Sequence, residues 1–139
     1  MAPVISPTTA ATKREHDFEP GEFLATIAKG RRIVSFSNKQ GIFAQGGECD
    51  AVFYIQEGKV KLTVASKSGR EATITLLSAG DFLGEDCLAG QPLRLMSATT
   101  VEECLLVRIE IDAFKQLLHQ EQAFSDMFMA YRLARNVRY

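Results

Sequence analysis

The chain has 139 residues, of which 46% are hydrophobic and 24% charged, and its formal net charge is −1. These proportions suit one globular core, and a second core would leave both halves marginal. The near-neutral charge supplies no strong basic field for holding nucleic acid, so DNA contact is expected only from another part of the parent protein. No apolar run approaches the roughly 20 residues that span a bilayer, and no membrane partner is predicted.

Polar residues and two prolines dominate the N-terminus, which lacks the basic-then-apolar layout of a secretion signal. Residues 1–18 are therefore predicted to form a flexible leader. A short helix is predicted over 22–28, because a proline precedes it and Gly30 follows it. The globular domain is predicted over 19–122, and the start of a further helix over 123–139.

From Arg31 onward the pattern changes to short strands separated by glycines. Polar and apolar residues alternate over 59–64 and again over 71–76, and turns at Glu57-Gly58 and Ser68-Gly69 precede them, which predicts two successive hairpins. The fold class predicted is mainly β with flanking helices, an antiparallel β-barrel or jelly roll followed by a long C-terminal helix. The predicted strands are 31–36, 41–45, 52–55, 59–64, 71–76, 99–101 and 104–109.

The last third of the chain has helical periodicity. Asp112 is predicted to cap a helix over 113–118. The next helix carries two apolar stripes, so one face is expected on the barrel and the other on a different partner. The periodicity continues to Tyr139 without a helix-ending residue, which suggests a fragment of a longer protein. The first stripe consists of Phe124, Phe128 and Tyr131, and the second of Ala130, Leu133 and Val137. The arginines of this helix, Arg132, Arg135 and Arg138, are interpreted as a solvated face rather than as a DNA-binding patch.

The segment 80–94 breaks the strand pattern. A helical turn predicted after Gly84 would expose free backbone N–H groups, which suit an anion, and Arg94 adds a planar fork for a phosphate. Glu85 would repel a phosphate beside it but can accept a hydrogen bond from a sugar hydroxyl. The ligand implied is a phosphate joined to a sugar. An ordinary turn with a surface Arg94–Asp86 salt bridge explains the same residues equally well.

The run from Gly84-Glu85 to Arg94, followed by Ser97-Ala98-Thr99, resembles the phosphate-binding cassette of cyclic-nucleotide-binding domains. The chain is most similar in pattern to the bacterial CRP/FNR transcription regulators. The resemblance implies that Glu85 holds the ribose 2′-hydroxyl and that Arg94 holds the cyclic phosphate, with backbone N–H groups completing the site. The ligand-binding residues so predicted are Gly84, Glu85, Asp86, Cys87, Leu88, Arg94 and Leu95.

The same resemblance implies a cytoplasmic, non-enzymatic sensor domain that needs no cofactor and takes cyclic AMP or cyclic GMP as its ligand. It also implies a homodimer through the C-terminal helix at Ala130, Leu133 and Val137, and DNA binding only through a missing helix-turn-helix domain. Asp86 and Leu95 depart from the family pattern, which usually has an apolar residue and a hydroxyl there. These departures favour an alternative, a ligand-independent structural or dimerisation module with a degenerate nucleotide site.

The cysteines are Cys49, Cys87 and Cys104, scattered and odd in number. This argues against a disulfide framework, a zinc site or an iron–sulfur cluster, and fits a reducing compartment. Cys87 is interpreted as a buried inert cysteine rather than a redox sensor. Neither histidine, His16 or His119, lies on a predicted strand, so no metal site is predicted.

Overall fold

Two four-stranded antiparallel sheets form the body of the molecule, in the orders β1-β8-β3-β6 and β2-β7-β4-β5. The computed structural model describes residues 30–90 and 92–138, without the side chains of 135–138, so the predicted leader and the helix over 22–28 lie outside it. The strands are β1 (Arg31–Phe36), β2 (Gly41–Phe43), β3 (Ala51–Glu57), β4 (Lys59–Ala65), β5 (Glu71–Ser78), β6 (Phe82–Leu83), β7 (Ser97–Thr100) and β8 (Cys104–Glu110). A 3₁₀ helix (Glu85–Ala89), α1 (Ile111–Gln120) and α2 (Gln122–Arg138) complete the described elements.

The mainly β, jelly-roll class is confirmed, and so is the second of the two predicted hairpins. The first is wrong: the chain passes from one sheet to the other at Gly58, so β3 pairs with β6 and β8 while β4 pairs with β5 and β7. β4 pairs with β5 along its whole length, from Lys59 opposite Ser78 to Ala65 opposite Glu71. Within the described residues the two sheets share no strand, so they pack face to face without closing into a continuous barrel. None of the described helices is long and apolar enough to serve as a membrane span.

Boundaries of the predicted strands differ from the observed ones by up to two residues. The strand predicted over 41–45 ends at Phe43, because the Gln45 backbone N–H bonds instead to the Ser97 hydroxyl at 2.8 Å. The strand predicted over 99–101 begins earlier, at Ser97, because Ala98 pairs with Leu62 of β4. Contacts with segments distant in sequence therefore set these two boundaries.

One hydrophobic cluster fills the space between the sheets. It joins Ile55 of β3, Leu106 of β8, Leu62 of β4 and Leu77 of β5, all of which are fully buried. Because each of these side chains comes from the apolar positions of its strand, alternation along the strand directs it inward. The cluster holds one sheet against the other.

A second cluster, built largely from aromatic rings, fixes the two helices to the outside of the first sheet. Phe82 lies at its centre, with ring centroids of Phe114, Phe124, Phe128 and Tyr131 between 5.2 and 6.2 Å away, in edge-on arrangements. The first apolar stripe of α2 therefore packs against the β-sheet body of the domain, as predicted. In the second stripe Ala130 and Leu133 are exposed, and the side chain of Val137 is not among the side chains that the structure describes.

The prediction that Asp112 caps the first C-terminal helix is wrong. α1 starts at Ile111, its cap position is Glu110, and no side chain caps it. The Ile111 N–H is instead bonded to the Asp50 carbonyl at 3.0 Å, because β8 runs directly into the helix beside the start of β3. Asp112 lies in the first turn, where its charge is favourable to the helix dipole.

Phe82→Ala is expected to lower the free energy of unfolding by roughly 3–5 kcal/mol, because the truncation leaves a cavity among five other rings. Leu76→Ala, on an exposed position of β5, is the matched control and should change it by less than about 0.5 kcal/mol. Chemical denaturation followed by circular dichroism measures both. Equal losses in the two variants would contradict the aromatic cluster as the anchor of the helices.

Candidate functional site

A glycine in left-handed conformation opens the segment that follows β6. Gly84 has φ of +84° and leads into the 3₁₀ helix, which Gly90 ends with φ of +85°. A Cβ at Gly84 would lie 2.6 Å from Nη1 of Arg94, so both the backbone conformation and the neighbouring guanidinium require a glycine. The turn predicted after Gly84 is therefore present, as a 3₁₀ helix.

Arg94 lies beneath this turn, with 3% of its surface exposed. Its Nη1 donates to the Gly84 carbonyl and to the Cys87 sulfur, each at 3.1 Å. Its Nη2 donates to the Ala51 carbonyl at 2.8 Å, at the start of β3. The guanidinium carbon sits 4.1 Å from the centre of the Phe43 ring, a cation–π contact. The buried Nε of Arg94 has no hydrogen-bond partner among the described residues.

Two carboxylates accompany the guanidinium. Asp50 lies 3.3 Å from Nη2, and Asp86 lies 3.9 Å from Nη1. Burial lowers the pKa of Arg94, and the charges of Asp86 and Asp50 oppose that shift. Because a guanidinium titrates far above neutral pH, Arg94 stays a cation at the centre of the site.

The other predicted site residues take different positions. Glu85 is buried at the start of the 3₁₀ helix, and Leu88 is partly buried against the aromatic cluster. Asp86 accepts a hydrogen bond from the Leu95 backbone N–H at 3.3 Å, and this bond turns its carboxylate toward the end of the cassette. The Leu95 side chain is half exposed, so this residue joins the site only through its backbone. The structure therefore brings Gly84, Asp86 and Cys87 next to the buried Arg94. Glu85 and Leu88 lie in the same 3₁₀ helix and line the neighbouring groove, and the Leu95 side chain is turned outward.

Sequence reasoning missed three partners of Arg94, namely Asp50, the carbonyl of Ala51 and the ring of Phe43. They lie more than 40 residues before the arginine and come next to it only when β3 packs beside the cassette. Nothing in their local sequence distinguishes them from ordinary loop and strand residues. The alternative interpretation, an ordinary turn with a surface salt bridge between Arg94 and Asp86, also does not explain the site, because the guanidinium is buried.

The expectation that the cysteines form no disulfide is wrong. Cys49 and Cys87 are bonded to each other, with Cα atoms 5.3 Å apart and a sequence separation of 38. The loop before β3 runs beside the 3₁₀ helix, and this proximity is invisible in a sequence without paired spacing motifs. Cys104 is a free, buried thiol whose pKa is raised by burial.

A groove runs between the 3₁₀ helix and α2. Its walls include Glu85 and Leu88 from the cassette side and Leu118, Phe128, Met129 and Leu133 from the helices. Polar groups of the cassette thus lie at one end of the groove, and apolar side chains of the helices form the rest of its walls.

A two-sheet roll, a glycine-led 3₁₀ turn over a buried arginine and two trailing helices are together the architecture of a cyclic-nucleotide-binding domain. The family model described as "Cyclic nucleotide-binding domain" matches residues 33–121. The chain belongs to this family.

Regulators and one enzyme are among its relatives. The CRP-like cAMP-activated global transcriptional regulator of Mycobacterium tuberculosis is 30% identical over 83% of this chain and 51% of its own length. The cAMP/cGMP-dependent phosphodiesterase B of Dictyostelium discoideum is 30% identical over 66% of this chain but only 9% of its own length. The Thermus thermophilus catabolite activator protein superposes with a TM-score of 0.71 at 27% identity, covering 88% of this chain and 57% of that one. The chain spans about half the length of the curated regulators it matches.

Gly84→Ala is expected to destabilise the chain by about 2 kcal/mol or more, since the added methyl meets Arg94 as well as the left-handed backbone. Gly90→Ala is a closely matched control, because Gly90 has nearly the same φ and ψ at the other end of the same 3₁₀ helix but open space at its Cβ. It should lose only about 1 kcal/mol. Thermal and urea unfolding of both variants measure the difference, and a Gly90 variant as unstable as the Gly84 one would contradict the close approach of Arg94.

Proposed function

We propose that this chain is a sensor domain that binds a cyclic nucleotide, cyclic AMP or cyclic GMP, as its ligand. The observation that carries the proposal is the buried guanidinium of Arg94 beneath the turn after Gly84, with a buried Nε donor that has no partner in the part of the chain the structure describes. A buried donor left without an acceptor costs free energy, and an incoming anion that reaches it recovers that cost. The membership of the cyclic nucleotide-binding family and the cAMP-activated relative support this ligand class.

Each site residue has a proposed role. Arg94 holds the cyclic phosphate through charge-assisted hydrogen bonds. Glu85 accepts the hydrogen bond of the ribose 2′-hydroxyl, and the backbone N–H groups of Asp86, Cys87 and Leu88 complete the phosphate site. Gly84 allows the close approach of the turn, and Leu95 contributes its backbone.

Nucleotide binding is proposed to act on the C-terminal helix. Because the groove beside the cassette is lined by α2, a ligand there favours one arrangement of that helix, and so shifts a pre-existing equilibrium. In a parent protein of the CRP/FNR type, cytoplasmic and non-enzymatic, this equilibrium would control DNA binding by a helix-turn-helix domain outside this chain. The regulators among the relatives support that setting, and the phosphodiesterase relative has the same kind of domain within a far longer enzyme.

A second candidate function also has an observation in its favour. The guanidinium of Arg94 already has two protein carbonyls and the carboxylates of Asp50 and Asp86 close to it. An arginine with those partners stabilises the fold without any ligand. In this alternative the domain is a structural and dimerising module with a degenerate nucleotide site.

Calorimetric titration with cyclic AMP and cyclic GMP separates the two candidates. Under the sensor proposal Arg94→Gln weakens binding about a hundredfold, because two or more charge-assisted hydrogen bonds to phosphate are lost. Arg108→Gln is the control, because among the described residues the ion-pair partners of Arg108 are Asp50 and Glu110, neither of which belongs to the cassette. It should change affinity less than about threefold.

Since Arg94 also holds the fold together, Glu85→Gln serves as a second variant that leaves the guanidinium and its partners in place. About a tenfold loss is expected, because a neutral amide is a poorer acceptor for a ribose hydroxyl. Asp86→Asn should strengthen binding a few-fold by removing a negative charge near the phosphate. If the wild-type chain gives no heat with either nucleotide at millimolar concentration, the structural module is the better description.

Homodimerisation is proposed to use the exposed second stripe of α2, to which Leu133 belongs. Leu133→Lys is expected to shift the chain toward monomer in sedimentation velocity, because a charge would be buried in the interface. Leu76→Lys is the matched control, since Leu76 and Leu133 are each 61% exposed but lie on different faces of the molecule. A dimer that survives Leu133→Lys would rule out this face as the contact.

A further inference from the structure

The Cys49–Cys87 disulfide joins two segments that the phosphate site depends on. Cys87 lies inside the 3₁₀ helix that follows Gly84, and Cys49 immediately precedes Asp50, a partner of Arg94. The loop at Gly46 and Gly47 is already bonded to the backbone of Arg94, at 2.8 and 2.7 Å. The disulfide therefore adds a covalent tie between this loop and the turn that carries the phosphate-binding N–H groups.

The two sulfurs have different surroundings. Cys49 is only partly buried, whereas Cys87 is buried and its sulfur accepts a hydrogen bond from Nη1 of Arg94 at 3.1 Å. An attacking thiolate can therefore reach Cys49 more easily than Cys87. A sulfur beside a guanidinium is also the better leaving group, because the positive charge stabilises the thiolate that departs.

We propose that Cys49 and Cys87 form a thiol–disulfide exchange site within the cassette, whose oxidation state sets the affinity of the neighbouring ligand site. This inference rests on the proposed binding of a cyclic nucleotide there. The reductant is a cellular thiol or dithiol. Its thiolate attacks the Cys49 sulfur, the Cys49–Cys87 bond breaks, and Cys87 leaves as a thiolate beside Arg94. The second thiol of the reductant then attacks the mixed disulfide at Cys49, which releases the Cys49 thiol and a reductant disulfide. Two electrons and one proton pass to the protein, and the second proton goes to solvent because Cys87 stays a thiolate.

Oxidised chain binds the nucleotide more tightly than reduced chain, for two reasons. In the oxidised chain the sulfur of Cys87 carries no charge, whereas a thiolate there competes with the phosphate for the guanidinium of Arg94. The cross-link also holds the turn in place before the ligand arrives, so less ordering is required on binding. Disulfides in reducing compartments are usually transient and redox-sensing, which fits a regulatory switch rather than a permanent structural cross-link.

The first measurement does not involve nucleotide. The purified chain is equilibrated in mixtures of reduced and oxidised dithiothreitol and alkylated, and the modified cysteines are counted by mass spectrometry. Cys49 and Cys87 should become reactive together as the buffer becomes reducing. Cys104 is the internal control, because its burial and raised pKa keep it a slow-reacting neutral thiol in both states.

The second measurement is calorimetric affinity for cyclic AMP and cyclic GMP in each oxidation state. Reduction is expected to weaken binding about tenfold. Cys104→Ser should keep this response, whereas Cys49→Ser, which leaves a free thiol at Cys87, should bind at the reduced level whether or not reductant is present. Cys87→Ala removes the thiolate as well as the cross-link, so an affinity above that of Cys49→Ser assigns part of the effect to charge.

The outcomes distinguish this inference from the proposed function. Alkylation of both cysteines under oxidising conditions overturns the exchange site and leaves nucleotide binding untouched. Equal affinities of the oxidised and reduced chains overturn the regulatory role, although the chain still binds its ligand. A disulfide that forms while neither state binds either nucleotide overturns both the proposed ligand and its regulation, with the exchange chemistry itself still measured.

Discussion

One buried cation organises the part of the molecule that matters for function. The guanidinium of Arg94 donates to the carbonyls of Ala51 and Gly84, which belong to the start of β3 and to the turn after β6. Desolvating a cation is costly unless it gains such partners, so these segments are held at fixed distances from each other. The left-handed glycine, the 3₁₀ helix and the neighbouring disulfide are all arranged around this requirement.

The same segment is mechanically connected to the C-terminal helix. Phe82, two residues before Gly84, donates its backbone N–H to the Tyr131 hydroxyl at 2.9 Å and places its ring among those of both helices. Because a packed aromatic cluster has few alternative arrangements, we expect a shift of the cassette to move α2 rather than to be absorbed between them. This contiguity gives a physical route from a ligand at Arg94 to the exposed stripe of α2, whose proposed role is dimer contact.

The sequence was sufficient wherever the determining interactions are local. Alternation over 59–64 and 71–76 predicted the β4–β5 hairpin, and the glycine, glutamate and arginine of the cassette predicted the turn. It failed where distant segments meet. Cys87 and Cys49 have no spacing signature, Asp50 has no local feature that marks it as an arginine partner, and the Asp112 cap was replaced by a bond from Ile111 to the Asp50 carbonyl. In each of these cases the deciding contact joins residues far apart in the sequence, and a local sequence pattern does not reveal such a contact.

The carboxylates around Arg94 are less of an obstacle to an anion than their proximity suggests. Asp50 is well exposed and also pairs with Arg108 at 3.2 Å, so it keeps a cationic partner when its contact with Arg94 is lost. Only the Asp50 side of this pair is exposed, and we expect a phosphate that makes charge-assisted bonds to the buried guanidinium to compete with it. Asp86 is tied to the Leu95 N–H, which directs its charge toward the backbone at the end of the cassette. The proposed site therefore keeps a positive charge for an anion, and we expect the carboxylates to lower its affinity rather than abolish it.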